Sequence, residues 1–237
     1  KNYRVIIHCS SLLNRIEKKI ENYGCKLIHS IYSINCICAV LNDISISRLI
    51  EFPEVNYITL DIKADLCGKN VYSSNRISFS YNSKITGKNI CIGLIDSGTY
   101  PHTDLISEKN RIAKFLDLIN EYDYPYDDNG HGTFMSGIIC GNGKLSKGMY
   151  SGIAKDSSIY SIKAFNSVGY GYVSDILYAI QLLIDDSEKM NLKIICLPFE
   201  LNIIDAFILS LFQKLFNMAV KNNICIVIAS GNADNTE

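Results

Sequence analysis

The sequence has almost no excess of charge: 23 Lys and Arg stand against 24 Asp and Glu, a formal net charge of −1. Without a basic field nothing gathers phosphates or anionic lipid, so neither nucleic acid nor a membrane surface is the expected partner. A long apolar run is also missing. Asp205 interrupts the stretch at 203–211, and no segment approaches the roughly 18 to 20 residues of a membrane span. There is no C-x-x-C pair. The nine cysteines (Cys9, Cys25, Cys36, Cys38, Cys67, Cys91, Cys140, Cys196 and Cys225) are odd in number and sit mostly in apolar strand-like runs, which argues against a disulfide framework and a zinc site. They read as small buried hydrophobes in a reducing compartment. No internal repeat or low-complexity tract is visible. What is there is a globular composition, 48% hydrophobic and 20% charged over 237 residues, too apolar for a disordered chain and large enough for one large or two smaller domains.

The order of apolar segments divides the chain. Residues 4–9 read as a strand. Ser10 and Ser11 are positioned to cap a helix whose Leu12, Leu13, Ile16 and Ile20 form one stripe, and Gly24 ends it. Strands are predicted at 26–33 and 35–41, a helix at 44–52 stopped by Pro53, and a last strand at 55–60. Residues 1–68 are thus expected to form a small α+β domain of order βαββαβ, ferredoxin-like, a scaffold that assigns no function by itself. Residues 69–88 are rich in Ser and Asn and read as a linker. From 89 to 237 the pattern changes to strands at 90–95, 159–164, 194–197 and 224–229, alternating with helices at 131–140, 173–184 and 205–222. These strands are continuous apolar runs, as in a parallel sheet covered on both faces. The second half is therefore predicted to be α/β, doubly wound and mostly parallel. Ser174 or Asp175 suits the start of the helix near 173.

Chemistry in such a sheet sits at the carboxyl ends of its strands. Asp96-Ser97-Gly98 follows directly on the strand at 90–95. His131 opens a helix between two glycines, which leave the backbone free to turn and the imidazole exposed. A carboxylate beside an imidazole orients the ring and stabilises the imidazolium formed when it takes a proton. Asp127-Asp128 and Asp185-Asp186 read as solvated turns or helix ends, His102 as a packing residue, and His8 and His29 as strand residues without acidic or thiol neighbours.

The segment from Ile85 to Gly98 (ITGKNICIGLIDSG), then Tyr124 to Thr133 (YPYDDNGHGT), then Gly152-Ile153-Ala154, then Ile226 to Asn232 (IVIASGN) closely resembles the subtilisin-like serine proteases. The resemblance implies that Asp96 is the triad aspartate, His131 the general base and Asn232 the side-chain donor of the oxyanion hole, a donor type worth roughly 2.7 to 4 kcal/mol. It implies that residues 1–68 are a propeptide, chaperone and intramolecular inhibitor, joined to the enzyme through a junction between about Ala64 and Ser74. It also implies that Gly169, Tyr170 and Gly171 form an edge strand that pairs with a peptide or protein substrate, and that Leu197, Pro198 and Phe199 line the primary specificity pocket.

Pro198 removes a backbone donor and Phe199-Glu200 is expected to crowd or charge the pocket wall, so the specificity is expected to depart from the usual one. No cofactor is required. Structural calcium is compatible with the family but not supported by the sequence, because the loop at 141–148 offers lysines where a hard cation wants carboxylates.

The ends of the sequence carry two further expectations. Lys1 is not Met and Arg4-Val5-Ile6-Ile7 already reads as a strand, so something upstream was processed, trimmed or omitted, which leaves a secretory signal open. Bacterial cytoplasm, spore and secretion all remain compatible as compartments. The catalytic part is expected to be truncated, since no Gly-Thr-Ser occurs and five residues follow Asn232. The function expected from these residues is a serine endopeptidase whose nucleophile lies beyond this chain, which alone would be inactive. The alternative is a non-catalytic subtilisin-like pseudoprotease with a regulatory or binding role.

Overall fold

In the computed structural model, which describes residues 1–67, 85–201 and 205–231, the chain begins with β1 (Asn2–Cys9), α1 (Leu13–Asn22), β2 (Lys26–Ile31), β3 (Cys36–Asn42), α2 (Asp43–Leu49) and β4 (Val55–Leu60). The four strands form an antiparallel sheet in the order β2-β3-β1-β4. The apolar stripe Leu13, Ile16 and Ile20 of α1 packs with Val5, Ile7, Ile37, Leu41 and Leu49 into one core. Two local expectations fail. Ser10 does not cap α1, because its backbone and side chain turn instead to the Glu54 carbonyl; the chain enters the helix through Leu12 at φ 53°, with no side-chain cap. Helix α2 stops at Leu49, short of Phe52, and it is Asn42 that caps it by accepting from the Ser45 amide at 2.9 Å.

Strand β5 (Lys63–Leu66) leaves the first sheet and joins the second half of the molecule. That half runs β6 (Cys91–Asp96), α3 (Thr103–Ile106), β7 (Ile112–Asp117), α4 (His131–Cys140), β8 (Ser158–Lys163), β9 (Tyr170–Tyr172), α5 (Val173–Asp185), α6 (Ser187–Met190), β10 (Leu192–Leu197), β11 (Phe199–Glu200), α7 (Ala206–Lys221) and β12 (Cys225–Ile228). Five of its strands form a parallel sheet in the order β12-β10-β6-β8-β7. Helices cover both faces. Leu94 and Ile159 pack with Leu105 and Cys140 from α3 and α4, while Ile95, Tyr160 and Ile162 pack with α5 and α7. Successive residues of one strand are therefore buried on opposite faces, which is why the runs show no alternation. The edge strand β7 escaped notice because Lys114 and its exposed neighbours break its apolar pattern.

The antiparallel sheet is itself covered twice. Ile6, Ile31, Ile34, Cys36 and Cys38, on the face away from α1, belong to the same core as Ile176, Ile180, Leu211 and Phe212 of α5 and α7. A polar rim surrounds this contact. Arg4 donates to Asp61 at 2.5 Å, to Ser174 Oγ at 2.6 Å and to Asp175 at 2.7 Å, and its guanidinium lies 4.1 Å from the centre of the Tyr172 ring. Neither Ser174 nor Asp175 caps α5. The helix follows Tyr172, which has no capping side chain, and Asp61 supplies the cap from the other unit, accepting from the Ser174 amide at 3.0 Å. His29 does have an acidic partner: its Nε2 is 2.8 Å from Asp175 Oδ1, and its ring stacks on Tyr178.

Candidate active site

Strand β6 has β8 and β7 on one side and β10 and β12 on the other, so its carboxyl end is a switch point of the sheet, where a crevice opens. Asp96 is the last residue of β6 and is fully buried. Its carboxylate accepts from the Ser97 amide at 2.6 Å. The chain then turns through Gly98 at φ 121°, and the first turn of α4 presses against it so closely that a Cβ on Gly132 would lie 2.0 Å from the Gly98 carbonyl oxygen. Only glycine fits there. This contact sets the next residue: His131 Nδ1 lies 2.8 and 2.9 Å from the two Asp96 oxygens.

Asp127 is not a solvated turn residue, whereas Asp128 beside it is exposed. Helix α4 follows Gly130, which has no side chain to cap it, and Asp127 does the capping from three residues upstream. Its carboxylate accepts from the amides of Asn129 (3.1 Å), Gly130 (2.8 Å) and Thr133 (2.8 Å), and from the hydroxyls of Thr133 (2.6 Å) and Ser97 (2.8 Å). Burial alone would raise its carboxyl, but these bonds, those from Thr133 first among them, hold it below the usual value. Asp127 thus ties the turn after Asp96 to the helix that carries His131. Lys163, fully buried in β8, donates to the Ser97 carbonyl (2.6 Å), the Phe165 carbonyl (2.9 Å) and Asp128 (2.6 Å). It clamps the same turn from beneath. Sequence reasoning gave neither residue this role, because the contacts that tie them to the turn after Asp96 span 30 or more positions.

Strand β5 occupies the crevice. It pairs antiparallel on one side with β9, Lys63 opposite Tyr172 and Asp65 opposite Tyr170, and on the other with β11, Leu66 opposite Phe199 and Asp65 opposite Glu200. Ala64 and Leu66 are buried beneath it. The Leu66 amide donates to the Gly169 carbonyl at 3.0 Å, and the Cys67 amide to the Pro198 carbonyl at 3.1 Å. Pro198 lacks an N–H, but it is its carbonyl that binds the strand. Leu197 is buried at the end of β10, while Phe199 turns into the core against Phe165, ring centres 5.1 Å apart, rather than crowding the groove. Asn232 lies outside the described residues. So does most of the stretch read as a linker.

The strand ends on the imidazole. Cys67 O is 2.5 Å from His131 Nε2. The carbonyl and the Asp96 carboxylate are both acceptors, so these surroundings favour a ring protonated on both nitrogens. Burial by itself would lower the His131 pKa; the hydrogen bond and charge of Asp96, with the Cys67 carbonyl, outweigh it and hold the pKa above the ordinary value. Burial also lifts the Asp96 carboxyl, and the bond and charge of His131 oppose that rise. Nearby Cys196 is pushed up to about 11 by burial and then by the Asp96 charge, so its thiol stays protonated and inert. His102 caps α3, accepting from the Asp104 amide at 3.2 Å. Among the described residues, no group of three or more His, Cys, Asp or Glu is arranged to hold a metal ion.

A buried carboxylate at a switch point, an imidazole fixed by it, and a crevice that holds an extended peptide between two edge strands are the marks of a serine-protease scaffold. Residues 87–237 match the subtilase family of peptidases, and the chain belongs to that family of subtilisin-like serine proteases. It is 31% identical over 166 residues to serine protease AprX of Bacillus subtilis, covering 69% of this chain and 37% of that protein. It is 32% identical over 160 residues to the minor extracellular protease Epr of the same organism, covering 68% of this chain and 22% of that one. The chain thus spans well under half of these relatives. Its fold is also that of the epidermin leader peptide processing serine protease EpiP from Staphylococcus aureus, with a TM-score of 0.70 at 19% identity over 98% of this chain and 60% of that one.

Proposed function

We propose that this chain is the propeptide and the first part of the catalytic domain of a serine endopeptidase. Asp96 and His131 are two members of its triad, Asn232 is an oxyanion donor, and the nucleophilic serine comes from a part of the protein beyond residue 237. The reading rests on one observation above the others: the Cys67 carbonyl lies against His131 Nε2, at the end of a strand paired along both edges. A peptide held so presents the bond after Cys67 to the catalytic base. In the complete enzyme, at a pH above its raised value, His131 gives its Nε2 proton to solvent, and the neutral ring takes the proton of the serine hydroxyl as its oxygen attacks the Cys67 carbonyl carbon. Asp96 stabilises the resulting imidazolium, which then passes the proton to the leaving amine, and water releases the acyl group by the same route.

Residues 1–67 act as the inhibitor in this reading. The antiparallel sheet docks on α5 and α7 and threads β5 through the crevice, so a substrate cannot enter until the unit departs.

The test is labelling of the full-length protein with a fluorophosphonate after its N-terminal unit has been removed. Covalent labelling that disappears on His131→Ala is the expected result. A folded sample that does not label would sink the enzymatic reading and leave the non-catalytic one.

A further inference from the structure

The two faces of β5 meet different surroundings. Ala64 and Leu66 point into the core and are almost fully buried. Lys63 and Asp65 lie on the other face, since side chains alternate along a strand, and Cys67 follows directly after it. Asp65 stands directly opposite Glu200 of β11. Residues opposed in an antiparallel pair project to the same side with their Cβ atoms about 4.5 to 5.5 Å apart, and like charges placed so are destabilising. The chain's own strand therefore sets a carboxylate against a carboxylate in the groove. Glu200 also lines a cavity with Leu197, Ser230 and Gly231, its Oε2 3.7 Å from the place a Cβ on Gly231 would take, beyond β12. The same charge acts on Cys67. Burial and then Glu200 push that thiol above its ordinary value.

We propose that Glu200 is a specificity-determining residue that selects substrates carrying Lys or Arg at the positions occupied here by Cys67 and Asp65. The inference rests on the peptidase reading and deepens it by naming the substrate class, a cationic peptide segment.

The test uses the processed full-length protein and peptides built on Lys-Ala-Asp-Leu-Cys, the sequence of residues 63–67. One series places Arg, Leu or Glu at the Cys67 position; a second places Lys at the Asp65 position. For the natural protein, kcat/KM is expected to favour Arg over Leu by about tenfold, the factor that about 1.4 kcal/mol gives. The preference should shrink as salt is added, because the groove face is open to solvent. In Glu200→Gln the Arg preference should fall to about twofold or less, and in Glu200→Lys it should invert in favour of Glu, which a merely structural role for the side chain would not produce. Melting curves of both variants check that they fold. Cleavage that treats Arg, Leu and Glu alike, or an Arg preference that survives both substitutions, overturns this inference and leaves the peptidase reading intact. Cleavage of no peptide overturns both.

Discussion

The two sheets are both buried on both faces, but by different means. The parallel sheet is wrapped by helices of its own segment of chain, joined to it by the connections that every crossover requires. The antiparallel sheet has helices on one face only, and its other face is closed by α5 and α7 from the distant half of the sequence. The first cover is continuous with its sheet in sequence. The second has a polar rim: Arg4, His29 and Asp61 meet Ser174 and Asp175 in hydrogen bonds and ion pairs. Such an interface resembles one between partners more than the inside of a domain. Strand β5 belongs to the first unit by sequence and to the second by pairing, and it ends on the imidazole.

The sharpest way to separate the two regions acts on the one with the parallel sheet. Asp96→Asn in the full-length protein keeps the geometry but fixes the wrong tautomer of His131, and is expected to lower kcat by about 10⁴-fold in a peptide hydrolysis assay, with the melting of residues 1–60 unchanged. The contact between the two regions breaks at Arg4. Removing a partly buried guanidinium takes away the cation of Asp61 and leaves Asp175 with His29 alone, so Arg4→Ala is expected to weaken docking by about 3 kcal/mol, seen as a urea transition of the N-terminal unit that separates from the main one.

Acidity tests the same contact from two sides. His8 is buried where the first sheet meets α7, beside Tyr57 and Phe207, and burial pulls its pKa down to about 4, with Asp205 opposing and Lys214 assisting. A histidine with a depressed folded pKa destabilises the folded state as pH falls from the ordinary 6.5 toward 4, by on the order of 3 kcal/mol. His131 has the opposite sign. Its raised pKa means that its bonds to Asp96 and Cys67 contribute fully below 6.5 and are lost as pH climbs through the raised value. Stability of the docked form, read as a urea midpoint against pH, should peak between these two limbs. His8→Phe should flatten the acid limb and His131→Gln the alkaline one; a midpoint that rises steadily with pH contradicts this account. The smallest effect belongs to the surface: Lys144→Ala removes an exposed pair with Glu108 at 3.8 Å and should shift stability by under about 0.5 kcal/mol.

Much of this was legible in the sequence, for physical reasons. The stripe Leu13, Ile16 and Ile20 announces α1, and the unbroken runs behind β6, β8 and β10 announce a sheet covered twice, because local apolar spacing records which faces are buried; the same kind of run in β12 is largely exposed. Asp96 and His131 were legible because each sits in a turn where glycine marks a close backbone approach. Residues that act across long separations left no local trace. Asp61 caps a helix that starts more than 110 positions later, Lys163 holds a turn 66 positions upstream, and His29 finds its carboxylate 146 positions away. Glu200 was read as charging a pocket wall; its pairing with Asp65 could be seen only once β5 was found in the groove.

The central claim is that the chain presents its own peptide bond after Cys67 to His131. Intact-mass analysis of the purified full-length protein after incubation tests it directly. The account predicts an N-terminal product whose last residue is Cys67, formed by the natural protein and abolished in Asp96→Asn. A product ending at another residue, or one formed equally by the Asp96→Asn variant, would contradict it.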